Sequence, residues 1–356
     1  MSTAAADAGA SEPRRHRDGR AWLLTAARLR RDPWTVAAVC VLALILFASF
    51  AGGPIASRLL GHNSNDLFPY SANIAEQPVG PLTWVPDLND AIGNTADGEL
   101  TPPTKGTATT LFVLGADGPL GRDELLRVLE GGKTSLEIAI GGMLMALLIG
   151  VPLGALAGYF GGLGDAVVSR LTEWVMAFPL MLFLIFASVQ LDKVLTPIAW
   201  GNVFPQGLFA EALLIGVFTS FYPTRLVRAQ LLQLRNAEFV ESAIMVGASH
   251  WRVLRRHLLP HLLPTLLVWG AIAIATNLLL EVGLSFIGAG VQPTTPTWGS
   301  LLATTWGTFL QPQTYNSQNF TPWQTICPSV AMLLAVVSLN QLSEGLRRAL
   351  DPWASR

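Results

Sequence analysis

An all-α integral membrane protein with six transmembrane helices is the fold predicted by two features of this 356-residue chain. Hydrophobic residues make up 51% of it and charged residues only 13%, which leaves too little polar surface to coat a soluble domain of this size. The apolar residues also gather into six runs, each near the length that crosses about 30 Å of hydrocarbon at about 1.5 Å per residue.

The elements follow in order. Residues 1–33 form a basic tail carrying Arg14, Arg15, Arg17, Arg20, Arg28, Arg30 and Arg31. The first run, Trp34 to Ala51, could be the apolar stretch of a signal peptide, but its basic lead is long and its length nearly spans a bilayer. Residues 34–52 are therefore predicted to be an uncleaved first span. Residues 53–134 are rich in Gly, Pro, Asn, Asp and Thr and contain no spanning run. At their end Leu125, Leu126, Val128 and Leu129 lie between Arg122, Asp123 and Arg127, the pattern of a short amphipathic helix resting on the outer membrane surface.

Five more spans are predicted within a core at 135–345: Leu136 to Tyr159, Val167 to Val189, Leu208 to Leu226, Leu263 to Leu284 and Thr325 to Leu342. Glycines and prolines within them are compatible with membrane helices, whose neighbours satisfy freed backbone groups. Gly150, Gly154 and Gly158 recur every four residues and make a small-residue stripe where a second helix can approach closely. Residues 346–356 form the terminal tail.

Charge orients the chain. Between the fourth and fifth spans stand Arg225, Arg228, Arg235, Arg252, Arg255 and Arg256, whereas residues 285–324 contain no Lys or Arg. By the positive-inside rule that arginine-rich segment, both termini and the Arg347/Arg348 tail are cytoplasmic. Residues 53–133 and 285–324 then face outward.

The arginine-rich segment reads as two short helices. Asn236 is a candidate N-cap, Phe239, Ala243 and Val246 share one face, and Gly247 stops the first helix. Ser249 caps the second, in which Trp251, Leu254 and Leu258 line one face opposite Arg252, Arg255 and Arg256, and Pro260 is expected to break it. An amphipathic connector resting on the membrane would show the same geometry.

Other chemistry is sparse. Gly131, Gly132, Lys133 and Thr134 resemble the end of a phosphate loop, but Arg127 occupies the earlier glycine position and no strand precedes. His257 and His261 have no third partner for a metal, and no metal site is expected. Cys40 and Cys327 are read as packing residues. No catalytic set is evident. Polar residues inside spans are the better functional candidates, because hydrocarbon penalises unpaired charge: Glu173, Asn277 and Glu281 are candidates to line a substrate pathway, and Glu211, near the outer end of the fourth span, is a further acid of the same kind.

The segment from Glu241 through Ser242, Ala243 and Gly247 to Leu259 and Pro260 resembles the EAA loop of bacterial ABC importer permeases, with Ser242 in place of the second alanine and His257 where many members carry isoleucine. GRDELLRVLEGGKTSLEIAI, AGYFGGLGDAVVSR, EVGLSFIGAGVQPTTPTWGSLL and the ending NQLSEGLRRALDP resemble the C-type permease of the dipeptide/oligopeptide importer family, over Gly115 to Pro352. Two departures stand out. Ala116 replaces the threonine of that family's usual motif, with one extra residue before Gly121, and the first outer loop is longer than is typical.

The resemblance implies a type I ABC importer permease fold with a coupling loop at 236–260, in which Phe239, Val240, Glu241, Ala243, Gly247, Ala248, Leu259 and Pro260 meet a cytoplasmic ATPase. It implies a multi-pass protein of the bacterial cytoplasmic membrane that binds no cofactor itself, ATP and Mg being used by partner subunits. The partners implied are a second homologous permease, two ATP-binding subunits or one fused ATPase chain, an extracytoplasmic substrate-binding protein and membrane lipid, with no nucleic acid. Peptides are the expected cargo, with nickel or another small solute as alternative. A secondary transporter is a more distant alternative, disfavoured because the EAA-like segment has no inverted counterpart.

Overall fold

The computed structural model describes residues 27–68, 78–86, 109–117, 121–195, 207–291, 294–310 and 322–350. Arg14, Arg15, Arg17 and Arg20, much of the long outer segment and the last six residues lie outside the described residues.

The first helix, α1 (Pro33–Leu60), starts where Asp32 accepts hydrogen bonds from the Trp34 amide at 3.2 Å and the Thr35 hydroxyl at 2.7 Å. Pro33 suits that first turn, since its missing N–H has no helical acceptor there. Asp32 also pairs with Arg348 at 2.9 Å, joining the two ends of the described chain. Beyond α1 come two antiparallel hairpins, β1 (Thr83–Pro86) with β2 (Thr109–Phe112), and β3 (Ala116–Asp117) with β4 (Arg122–Asp123).

These strands form a small unit, on the segment expected to face outward, around Phe68, Val85, Phe112 and Ala116. The His62 ring packs edge-on to Phe68 and stacks on Phe112, while its Nε2 lies 3.1 Å from Asp123 Oδ2. Burial opposes protonation of His62, but the hydrogen bond and negative charge of Asp123 outweigh it and raise its pKa above the ordinary histidine value. Asp117 pairs with Arg122 at 3.0 Å and Arg127 at 2.6 Å, and Gln324 donates to the Ala116 carbonyl at 2.7 Å. Ala116 is fully buried, so a branched polar residue there would crowd this cluster.

The short surface helix expected around Leu125 to Leu129 does not stand alone. It is the first part of α2 (Glu124–Phe160), which runs unbroken into the second span. Asp123 starts it by accepting from the Leu125 and Leu126 amides at 2.8 and 3.3 Å. Gly131 and Gly132 do not break it, because they are close-approach positions: a Cβ on Gly132 would sit 2.7 Å from the Trp298 ring.

Next come α3 (Gly162–Ala177), α4 (Leu180–Leu195), α5 (Leu208–Thr219), α6 (Phe221–Leu234), α7 (Glu238–Met245), α8 (His250–Phe286), α9 (Trp298–Leu310) and α10 (Pro322–Leu350). Among the described residues, four helices (α1, α2, α8 and α10) are long and apolar enough to cross a membrane singly. The predicted third span instead bends by 88° between α3 and α4. Pro179 explains this, forcing Phe178 before it into extended backbone at φ −84°, ψ 141°. The predicted fourth span divides at Ser220 into α5 and α6, of 12 and 14 residues, with Pro223 removing one helical donor just beyond the junction.

Helix α2 is the axis, packed against α5, α6 and α8, with α10 joining α8 and α1. The glycine stripe performs as expected. A Cβ on Gly150, Gly154 or Gly158 would lie 2.5, 2.6 or 2.7 Å from the carbonyls of Ser220, Thr224 and Arg228, so α6 lies directly on the stripe. Cys40, expected in packing, is exposed on α1.

Candidate functional site

The EAA-like segment folds as a helix, a glycine turn and a second helix. Asn236 is not the N-cap of α7; Ala237 holds that place, in extended backbone at φ −76°, ψ 146° with no side-chain cap. Glu238 and Glu241 in the first turn instead place negative charge beside its unpaired amides. At the other end the Ala248 amide reaches the Ala243 carbonyl at 3.0 Å and the Gly247 amide reaches Ile244 at 2.9 Å. This paired closure requires a left-handed residue, and Gly247 supplies it at φ +90°.

Ser249 then caps the start of α8, accepting from the Arg252 amide at 3.4 Å. Pro260 does not break this helix, contrary to expectation. The preceding turn, Leu254–Leu258, is π-helical, and its wider spacing carries the chain past a proline that sits in the first turn of the following α-helical stretch, Leu259–Phe286. The second helix of this two-helix knob and the span that follows are one continuous helix from His250 to Phe286.

Packing fixes which side chains anchor and which are presented. Val240 is 1% exposed and joins Val253, Leu254 and Leu258 in a cluster with Val227 and Leu231 of α6 and Ala155 of α2. Ala243, Ala248 and Leu259 pack at its margin. Tyr159 of α2 meets His250 Nδ1 at 2.9 Å, and Phe239 stacks on His261. Glu241, Gly247 and Pro260 are exposed, as are Arg252, Arg255 and Arg256. The anchoring face is thus centred on Val240 rather than on Phe239 and Val246, and Trp251 leaves the face shared by Leu254 and Leu258. Met245, Val246 and Trp251 are 81%, 89% and 65% exposed, an apolar tip that the sequence reading did not select.

The three polar span candidates separate. Asn277 is buried and donates to the Ala139 carbonyl at 3.1 Å. Glu281 is fully buried and accepts from Ser135 and Ser285, both at 2.9 Å, while Ser135 also receives the Trp298 amide at 3.1 Å. These two residues tie α2, α8 and the start of α9 together. Glu211 is buried as well, with no hydrogen bond to either carboxyl oxygen among the described residues. Glu173 differs: it is exposed, pairs with Arg170 at 3.1 Å, and borders a cavity of about 400 Å³ between α3 and α6.

A bundle with several helices long and apolar enough to cross a membrane, carrying an exposed apolar tip, defines a multi-pass membrane protein. Residues 150–356 match the family described as the binding-protein-dependent transport system inner membrane component, and the chain belongs to that family. A glutathione transport system permease protein GsiD of Pectobacterium atrosepticum is 33% identical over 67% of this chain and 72% of its own length. The oligopeptide transport system permease protein OppC of Haemophilus influenzae is 32% identical over 65% of this chain and 68% of its own. The dipeptide transport system permease protein DppC of Alkalihalophilus pseudofirmus is 31% identical over 65% and 69%.

Proposed function

We propose that this chain is one of the two permease subunits of an ATP-driven peptide importer of the bacterial cytoplasmic membrane. A second homologous permease completes the pathway, an extracytoplasmic protein delivers the peptide, and two cytoplasmic ATP-binding subunits, or one fused ATPase chain, use ATP and Mg. The chain itself performs no covalent chemistry. The relatives above are named for glutathione, oligopeptide and dipeptide transport, which favours peptides over nickel as cargo.

One observation carries the mechanism: Val240, Val253, Leu254 and Leu258 share an apolar cluster with α2 and α6. A force on the exposed tip reaches three spans through close-packed side chains, which deform little. ATP-driven closure of the partner ATPases pulls the tip, and the spans change between outward-open and inward-open states that ATP binding favours differently. Both termini and the knob are cytoplasmic in this scheme. Glu241, Gly247, Ala248 and Pro260 with the apolar tip form the contact surface, while Val240, Ala243 and Leu259 hold it. Of the pathway candidates, Glu173 lines the path and Asn277 and Glu281 shape it through packing.

Replacing Gly247 by Trp tests this reading. Membrane insertion is expected to persist, with uptake lost and the ATPase subunits no longer co-purifying. Normal uptake would refute the coupling role.

A further inference from the structure

The cavity between α3 and α6 is bordered by Arg225, an exposed arginine with no ion pair among the described residues. Ser169, Thr172, Glu173 and Met176 of α3 face Arg225 and Arg228 of α6 across it. Arg228 is paired with Asp165, its Nη2 lying 3.0 Å from Oδ2, and Glu173 is paired with Arg170. Arg225 has no carboxylate within ion-pair distance among the described residues, and its Nη1 lies 3.8 Å from the Met176 sulfur. The hydroxyls of Ser169, Thr172 and Thr224 are already donating, to Asp165 and to the Val168 and Ser220 carbonyls, and Arg228 is held by Asp165, so Arg225 is the cavity's cation without an anionic partner among the described residues.

Its direction matters. A cation at the end of a span ordinarily extends toward the nearer water, and Arg228 does so by reaching Asp165 near the start of α3. Arg225 precedes Arg228 by one turn, roughly 4.5 Å of rise, yet the residue it meets lies roughly 16 Å farther along α3 than Asp165. The guanidinium therefore reaches along the cavity toward Met176, away from the end held by the Asp165–Arg228 pair, and stays accessible there. Glu173, itself exposed there, opposes an anionic lipid headgroup in the same space and favours a hydrated passage.

Resting on the peptide-importer reading above, we infer that Arg225 is a specificity-determining residue that receives the terminal carboxylate of the peptide in the inner half of the pathway. A guanidinium matches a carboxylate with two parallel N–H donors, a geometry that lysine lacks. The cavity is wide enough for a peptide end with water, and Glu173 stands on the opposite wall to disfavour a second carboxylate.

The test uses the complete complex in inside-out membrane vesicles, so that delivery by the binding protein does not intervene. Ser169→Cys is introduced with Cys40→Ala and Cys327→Ala, and its labelling by a membrane-impermeant thiol reagent is timed against added trialanine or trialanine amide. Labelling is expected, with trialanine protecting at roughly tenfold lower concentration than the amide, the factor a charge-assisted contact supplies. Arg225→Gln should remove that difference and Arg225→Lys should restore part of it. Absence of labelling, equal protection by the two peptides, or an unchanged preference in Arg225→Gln would overturn the inference. So would a response governed by the anionic lipid content of the vesicles and indifferent to the peptide's end. Failure of the unmodified complex to take up trialanine with ATP would instead remove the peptide reading itself.

Discussion

At Gly247 the φ of +90° leaves open space where a Cβ would go, so replacing it strains the backbone without a clash. Gly247→Ala is expected to destabilise the turn by about 1–2 kcal/mol, the left-handed penalty for an L-residue. Gly247→Asn should cost less, and thermal unfolding of the purified complex reads the difference. His62 sets a second expectation. Its folded pKa is raised, so the protonated His62–Asp123 pair contributes stability that is complete below the ordinary histidine pKa and fades as pH rises through the folded value. Protease resistance of the outer unit should therefore fall from mildly acid to mildly alkaline pH, and His62→Gln should flatten that dependence. A dependence that is unchanged in His62→Gln would contradict the assignment.

Among the elements, the start of α2 and its glycine stripe are most exposed to test. Asp123→Ala removes the cap of two amides, worth about 0.5–2 kcal/mol, together with the His62 pair, whereas Asp123→Asn keeps the cap and loses only the charge facing His62, so it should destabilise less and abolish the pH dependence. Gly154→Ala places a methyl 2.6 Å from the Thr224 carbonyl and 2.8 Å from Val227 Cβ. Overpacking of that kind costs about 1–3 kcal/mol and should lower the melting temperature, whereas Gly164→Ala, with open space around it, should not. The stripe was legible because a four-residue glycine period has one helical meaning. The continuity of α8 through Pro260 was not, since a π turn leaves no mark in composition. That Val240 rather than Phe239 is the buried residue of α7 was also not legible, because eight residues make barely two turns and the two are adjacent apolar residues.

For the whole molecule, the membrane class and the permease family were readable from composition and one spaced pattern, while the packing of the buried acids was not. Ser135 lies 146 residues from Glu281, and Ala139 lies 138 from Asn277, so no local window could pair them. The bent third span was hidden for a similar reason: a proline is ordinary in a membrane helix until the tertiary fold decides whether it kinks or breaks. The central claim is that ATP-driven motion enters through the exposed tip of the knob. Its most direct test is uptake of a labelled tripeptide by proteoliposomes of the complete complex, comparing the parent with the double substitution Met245→Asp, Val246→Asp. Both residues project away from the core, so the variant should insert and melt as the parent does while ATP-driven uptake falls by roughly tenfold or more, as for loss of interface anchors. Parent-like uptake by a variant carrying two charges at that tip would contradict the account.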